Sequence, residues 1–570
     1  MHRRSFIKLA AGAGTLAPWL SSHRLFSTPV TDFNQQPFFL SLVRNMDRRI
    51  AAMLQRQEKN QGHRHYGAVR DAYSIHAASE TAKFIRHLAS VYCEPESRYF
   101  HSPGLQEPLL IAARCLRRMQ HADGTIDLHT TNFNSPPDTG FVIEHLALAY
   151  EVLGREPDGD CALVCAALKE FMLSAGNGLC SGGIHTANHR WVVCMALARL
   201  NRFFPNPAYL QRIDQWLAEK IDIDPDGQYH EKSSAIYSPL TDRCLITLAR
   251  LLQRPELLEP VRRNLDMTLH YVHANGEIVT DASRRQDQYQ RATMEPYYYP
   301  YRYLALHDQN GRYAAMARLI EKSGTEKLAD EWIFFQEEPA LKADLPALEP
   351  LPENFLRLFS HSQLVRIRRG PVSATVLAQN PNFFSFHKGA AALEAVRLAA
   401  AFFGKGQFVG ATLLQENGQI VLRQNLQGPY YQPLARDQLK PEGNWHDSNR
   451  SQRSQSEIQN LHGRVLITET KGAFELDFEI KGTDEVPVAL ELTFRQGGKL
   501  QGVHALPNAE ECYLLEGEKA SYRYDGQEIL VTPGMAQHRW TQLRGALPRL
   551  NGHSVYMTGF TPFIFKLKIS

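Results

Sequence analysis

Between Glu337 and Phe355 the chain reads EEPALKADLPALEPLPENF, with prolines at 339, 346, 350 and 352. Proline lacks the backbone donor and fixes φ, so four of them in this span rule out a continuous helix and describe a semi-rigid linker. The hydrophobic period differs on its two sides. From about Leu40 to Phe335 apolar residues recur at helical spacing, in segments 70–92, 103–119, 140–154, 158–174, 189–203, 207–219, 236–253 and 256–273, parted by short loops rich in Pro, Gly, Asn and Asp. Several, such as VIEHLALAYEVL (142–153) and RWVVCMALARL (190–200), are too apolar for a helix with one wet face. Helix pairs with one buried member predict an (α/α) toroid, an inner ring inside an outer ring. After the linker, LVRIRRGPVSATVLAQ (364–379), QIVLRQNL (419–426), GRVLITETKGAFELDFEI (463–480), VALELTFRQ (488–496) and SYRYDGQEILVTP (521–533) are short, β-branched and broken by Gly or Asn turns. These predict an antiparallel β-sandwich. The expected organisation is a leader over 1–30, a toroid catalytic domain over 31–336, the linker over 337–355 and the sandwich over 356–570.

At 570 residues two or three domains are the natural expectation. A hydrophobic share of 43% and a charged share of 22% describe an ordinary globular chain, and a net charge of +3 gives a nucleic-acid partner no electrostatic support. HRRSFIKLAAGAGTLAPWL (2–20) has the layout of a twin-arginine export signal: Arg3-Arg4, Phe6, Lys8, then a mild apolar run. It predicts a periplasmic or secreted protein. No later stretch reaches 18 consecutive apolar residues, so stable membrane insertion after signal removal is not expected. The eight cysteines include no C-x-x-C pair and read as buried thiols rather than zinc ligands.

Polar groups stand where the helical pattern does not need them in three places. TTNFNSPPDTGF (130–141) carries Asn132 and Asn134 ahead of a helix, with Asp138 as its expected cap. TANHRWVVCMALARL (186–200) sets Asn188, His189 and Arg190 at the mouth of a helix apolar enough to be an inner one. There the free N–H groups of the first turn would join the three side chains in favouring an anion. DPDGQYHEKSSAIYSPL (224–240) holds Tyr229, His230, Glu231 and Tyr237, and DASRRQDQYQRATMEPYYYPYRY (281–303) adds Arg284, Arg285, Arg291 and a run of tyrosines including Tyr298. Guanidinium groups grip carboxylates and aromatic faces hold sugar rings. In the β region His387 follows an aromatic strand.

An amide, an imidazole, arginines and tyrosines suit removal of a proton from carbon beside a carboxylate. The carboxylate must be neutralised before its α-carbon can carry negative charge, which calls for donors aimed at its oxygens. A base must take the proton, and an acid must meet the departing glycosidic oxygen. Tyrosine, with an ordinary pKa of about 10, can serve where cations favour its phenolate. The reaction is β-elimination at a uronic acid, and it requires no metal or organic cofactor.

These stretches resemble the polysaccharide lyases related to heparinase II/III and the toroid-plus-sandwich alginate lyases. Asn188-His189 opening an inner helix and DGQYHEKSSAIYS (226–238), similar to an Asp-Gly-x-Tyr-x-Glu stretch ending in a catalytic tyrosine, carry the resemblance. It implies that Asn188 and His189 neutralise the uronate, that Tyr237 is base, acid or both, and that His387 reaches across from the sandwich. Arg190, Asn132, Asn134, Tyr229, Glu231, Arg284, Arg285 and Tyr298 are the candidate substrate contacts. The substrate implied is a uronic-acid-containing polysaccharide or oligosaccharide. Within the group the chain looks most similar to exo-acting lyases that release rhamnose from rhamnosyl-α-1,4-glucuronate on arabinogalactan. Two other readings stay open. A toroid glycoside hydrolase would need two carboxylates about 5–10 Å apart, with Glu144, Asp226, Glu231 and Asp138 on offer; a non-catalytic glycan-binding protein would need neither.

Overall fold

The computed structural model describes residues 37–156, 159–439, 445, 450–507 and 509–570. The expected export signal lies outside the described residues. The helical part comprises α1 (Pro37–Gln55), α2 (Ala78–Tyr92), α3 (Gln106–Met119), α4 (Pro136–Leu153), α5 (Gly159–Ser181), α6 (His189–Phe203), α7 (Pro207–Ala218), α8 (Tyr237–Leu252), α9 (Leu258–Thr268), α10 (Tyr298–Asp308), α11 (Gly311–Ser323), α12 (Thr325–Leu328) and α13 (Trp332–Glu337). The even helices α2, α4, α6, α8 and α10 pack each on the next, while α3, α5, α7, α9 and α11 flank them outside. Composition sorts the two rings. In α6 every residue from His189 to Leu200 is buried, whereas α7 buries only Tyr209 and Ile213. Between α10 and α2 the ring is closed by α1 and α13: Phe38 packs on Tyr298, and Phe39 on Trp332 and Phe335. By length and composition Cys161–Ser181 could cross a membrane; here it packs against α3, α4, α6 and α7.

Each outer helix returns the chain, so the inner helices run parallel and their N-terminal loops gather on one rim. The opposite rim, made of inner-helix C-termini, is sealed by charge. Glu337 accepts from Arg199 at 2.8 Å and from Arg250 at 2.7 Å, and Arg202 and Arg155 both pair with Glu151. Arginines there also complement the helix dipoles.

Helical turns persist to Lys342, residues 343–353 carry no regular element, and the first long strand is Asn354–Phe359. The proline-rich stretch is fastened to the toroid through Arg302, which donates to the carbonyls of Leu341 and Ala343. Two sheets follow. One orders His504–Ala505, Cys512–Leu514, His553–Phe560, Pro487–Phe494, Ala391–Ala400, Phe384–Lys388, Val372–Leu377, Leu364–Arg369 and Asn354–Phe359; the other is built on Gln419–Tyr431, Gln455–Thr470, Ala473–Gly482 and Phe563–Ile569. Among the described strands pairing is antiparallel except between Cys512–Leu514 and His553–Phe560, and an isolated bridge from Ala536 to Thr558 is also parallel. Phe384 and Phe386 meet Phe474 between the sheets, which makes a sandwich. In the outer sheet Phe563–Ile569 alternates buried and exposed residues, as a one-sided strand does. In the first sheet Leu364–Arg369 and Ala391–Ala400 are buried almost throughout: the second face of the former lies on the toroid, where Arg366 donates to the His270 carbonyl, and that of the latter is covered largely by the sandwich's own 541–548 segment, where Arg397 donates to the Leu547 and Pro548 carbonyls and Ala399 meets Leu543.

The face on the toroid is polar. Register aligns Arg366 with Thr375 and Ser385, and Arg368 with Ser373 and His387. The contacts it makes fall on the loops ahead of α8 and α10. The backbone N–H groups of His361 and Ser362 donate to Asp226, His273 pairs with Ser373 at 2.8 Å, Tyr289 donates to Asn380, Ser385 donates to Asp281, and Arg495 pairs with Glu277 at 2.7 Å. The sandwich thus covers part of the open rim and leaves a cleft beside it.

Candidate functional site

Asn188 occupies the N-cap position of α6, yet its backbone is helical (φ −65°, ψ −23°) and its side chain makes no capping bond. Its Oδ1 accepts from Thr186 Oγ1 at 2.8 Å, its backbone N–H donates to Glu231 at 3.4 Å, and its Nδ2 is buried without a partner. His189 follows, 8% exposed, with Nδ1 also buried and unpaired. Burial first, then the His185 imidazole edge-on at 4.8 Å, holds its pKa down at about 4, so at neutral pH the ring is uncharged. Two unpaired buried polar atoms at one helix start are costly unless a ligand completes them.

Tyr237 opens α8 and is half-buried. Gln286 Nε2 donates to its hydroxyl at 2.5 Å, and the Arg285 guanidinium lies 5.3 Å over its ring. Arg285 also pairs with Glu231 at 3.4 Å, so Glu231 bridges the Asn188 backbone and the Arg285–Tyr237 pair. Asp287 fastens the two loops: it accepts from Ser233 at 3.0 Å, Ser283 at 2.9 Å and the Ala235 N–H at 3.0 Å, and Ser233 Oγ accepts from the Tyr237 N–H. Asn132 donates to Asp138 at 2.8 Å, and the Asp138 charge acts on His189. Asn132, Asn188, His189, Glu231, Arg285 and Tyr237 therefore belong to one connected neighbourhood on the open rim.

His387 stands elsewhere on that rim. It stacks on His273 at 3.7 Å and 16°, and burial holds both rings well below the ordinary histidine pKa. Its Nδ1 is buried and unpaired. With His273, Glu277, Tyr289, Arg291 and Arg495 it lines a cavity of about 500 Å³ between toroid and sandwich. The 281–291 loop joins the two places, since Arg285 and Gln286 touch Tyr237 while Gln288, Tyr289 and Arg291 line the cavity.

Several expected contacts do not face this rim space. Arg190 is buried, stacks on Trp191 at 4.6 Å and donates to Asp222 at 2.7 Å and Glu219 at 3.2 Å. Successive helix positions diverge by about 100°, so Asn188, His189 and Arg190 could not all point one way. Tyr229 is buried with its hydroxyl on Asp242, and Tyr298 is buried with its hydroxyl on Glu321. The tyrosines at 297, 298, 299, 301 and 303 are all buried; Tyr298, Tyr299, Tyr301 and Tyr303 build α10, so that run is core rather than a sugar platform. Asn134 takes a left-handed backbone (φ 45°) and bonds Asp127 and Asp123, a turn role. Arg284, by contrast, stays on this rim: exposed in the 281–291 loop, it reaches Gln379 in the sandwich. The cap of α4 is Ser135, which accepts from the Asp138 N–H, rather than Asp138. Gln286, Asp287, His185, His273, Glu277 and Arg495 escaped sequence reasoning, because QDQYQ has no period and a stacked pair 114 residues apart leaves no local trace.

No family model matches the chain, and no curated protein matches it. Solved structures do. Heparinase III aligns with a TM-score of 0.56 at 11% identity, over 98% of this chain and 87% of its own. The Streptomyces coelicolor A3 chondroitin AC lyase in complex with chondroitin sulphate gives 0.54 at 13%, over 95% and 80%. Paenibacillus xanthan lyase gives 0.58 at 10%, over 95% and 58%. At such identities the likeness is one of fold, a helical N-terminal part followed by antiparallel β-sheets.

Proposed function

We propose that the protein is a polysaccharide lyase that cleaves a glycosidic bond at a uronic acid by β-elimination and leaves a 4,5-unsaturated uronate. One observation carries the reading: two buried, unpaired polar atoms, Asn188 Nδ2 and His189 Nδ1, stand at the start of an inner helix and are tied through Glu231 and Arg285 to the phenol of Tyr237. The substrate carboxylate would be neutralised by the side chains of Asn188 and the neutral His189; the first N–H groups of α6, expected to be free, instead donate to Glu231, Thr186 and Ala187. Tyr237 then takes the C5 proton, the C5–H electrons form the C4–C5 double bond, the C4–O bond breaks, and the departing oxygen is protonated by the tyrosine or by solvent. Gln286 holds the phenol oxygen, and Arg285 is the cation against its ring. His387 and the adjoining cavity would receive the neighbouring sugar.

The fold of heparinase III and of the chondroitin and xanthan lyases is consistent with this chemistry. Hydrolysis is disfavoured by what the four carboxylates are doing. Glu144 is buried against Arg243, Asp226 accepts from His361 and Ser362, Glu231 pairs with Arg285, and Asp138 accepts from Asn132 and Ser135. Terminal rhamnosyl-glucuronate is the finer reading of the substrate, and export through the twin-arginine route to the periplasm or beyond is the matching reading of location.

A panel of uronate glycans, including rhamnosyl-glucuronate arabinogalactan, tests the proposal by ultraviolet absorbance of the conjugated product. New absorbance on at least one glycan, cut by ~10²-fold or more in Tyr237→Phe as expected for a lost acid–base group, is the expected result. Product without the chromophore would make the enzyme a hydrolase. Binding with no product, equal in wild type and Tyr237→Phe, would make it a glycan-binding protein.

A further inference from the structure

The loop between α1 and α2 carries GHRHYGAVRDAYSIHA (62–77), and it folds on the same rim as Asn188 because it enters an inner helix. A short hairpin pairs Val69–Arg70 with His76–Ala77, and the Glu58 and Gly67 backbones bond across the loop base. This brings Glu58, His63, His65 and His76 together. The rings of His63 and His76 lie 4.9 Å apart, and that of His65 stacks on His76 at 5.2 Å. One donor atom from each of Glu58, His63 and His76 lies within 4.8 Å of the other two.

We propose that Glu58, His63 and His76 form a binding site for a zinc-class divalent metal ion, with Arg70 as its built-in competitor. Two imidazole nitrogens and one carboxylate oxygen are the donor set of three-ligand zinc sites, whose fourth position takes water. Zinc bonds of about 2.0–2.2 Å place tetrahedral ligand atoms about 3.4 Å apart. His76 Nε2 and Glu58 Oε2 are already 3.3 Å apart, so closing the set asks only that a His63 nitrogen, now within 4.8 Å of both, move in; Nδ1 accepts from the His65 N–H, which leaves Nε2 as the free ligand atom. Both side chains are 12% exposed, sheltered yet open to an ion from solvent. Arg70 bears on the same two atoms: its guanidinium donates to Glu58 Oε2 at 2.8 Å and to His76 Nε2 at 3.1 Å. It neutralises the carboxylate and takes up the imidazole lone pair that a metal would use. At 49% exposure it is free to swing into solvent and be displaced. A bound ion would clamp residues 58 and 76 and stiffen the rim ahead of α2.

The test uses the full chain after chelator treatment, titrated with Zn²⁺ and with Co²⁺ as a spectroscopic probe. One equivalent of Zn²⁺ is expected, with Co²⁺ giving the visible bands of a low-coordinate site. His76→Ala and the shape-conserving Glu58→Gln should each weaken Zn²⁺ binding by ~100-fold or more, and Arg70→Gln should tighten it by ~10-fold. Thermal unfolding in chelator confirms that each variant is folded. Failure of the wild type to bind Zn²⁺ at ~100 μM overturns the site. So does binding by His76→Ala and Glu58→Gln with wild-type affinity. Arg70→Gln binding no tighter than wild type overturns the competitor role.

Discussion

Asn188 and His189 are adjacent residues whose polar atoms are more buried than their partners justify. An amide that neutralises a carboxylate contributes most when the α-carbon is losing its proton and the group's negative charge is growing. Asn188→Ala is therefore expected to lower kcat by more than it raises KM. Initial rates across substrate concentration check this, and an effect confined to KM would remove Asn188 from the chemistry and leave it a binding residue. Tyr237 and the Asn188-His189 pair stand out in the sequence because polar groups interrupt an apolar pattern. Gln286 does not: it is one glutamine in a polar loop, and only the fold sets its amide on the Tyr237 hydroxyl. Arg190 shows the converse, since adjacency in sequence promised a shared direction that helical geometry denies.

At the scale of elements, α6 and α8 each do two jobs. Their N-termini present the site, and their C-termini carry Arg199 and Arg250 into the buried carboxylate of Glu337, held well below the usual carboxylate range by those two guanidinium groups despite its burial. Removing one member of such a cluster strands the others in a dry interior. Glu337→Ala is expected to destabilise the protein by about 3–5 kcal/mol, read from urea unfolding. A loss below about 1 kcal/mol, the scale of a surface pair, would show that the seal is solvated. The inner helices were legible as continuously apolar runs. Helices α1, α10 and α11 are not among the segments that the period marks out: α10, with its tyrosines and proline, carries aromatic side chains nearly all round, and α1 meets its partners only across the ring, as Phe38 does on Tyr298.

Among the described residues, the imidazoles whose pKa burial depresses furthest are His189 and His270, near 4, and His145, His273 and His387, well below the ordinary value. Unfolding exposes them to water, where they take up protons below about pH 6.5. Between that pH and about 4 the unfolded chain binds more protons than the folded one, so their contribution to stability rises with pH through this window and is lost as pH falls through it. Glu331 and Glu338, raised by burial to about 7, act in the opposite sense over the same window, so the histidine contribution is read by difference: between pH 6.5 and pH 4, His270→Gln is expected to lose less Tm than the wild type. An equal change in both would mean that the His270 ring is protonated in the folded state. His273 and His387 sit at the domain junction, so acid should loosen toroid and sandwich first, visible as early exposure of the 281–291 loop to proteolysis.

Hydrophobic period is enough to specify a helical half followed by an antiparallel β half, because that signal is local and repeats along the chain. It also flagged Asn188, His189 and Tyr237, since polar residues at the mouth of an apolar helix break a visible rule. Which candidates would share a space was beyond it. That depended on parallel inner helices gathering loops from residues 58 to 291 onto one rim, and on a sheet buried on both faces carrying Ser373, Ser385 and His387 to it. Side-chain direction and long-range packing set those meetings, and neither leaves a pattern in neighbouring residues; hence Tyr229, Tyr298 and Arg190 passed as contacts while Gln286 and His273 went unseen.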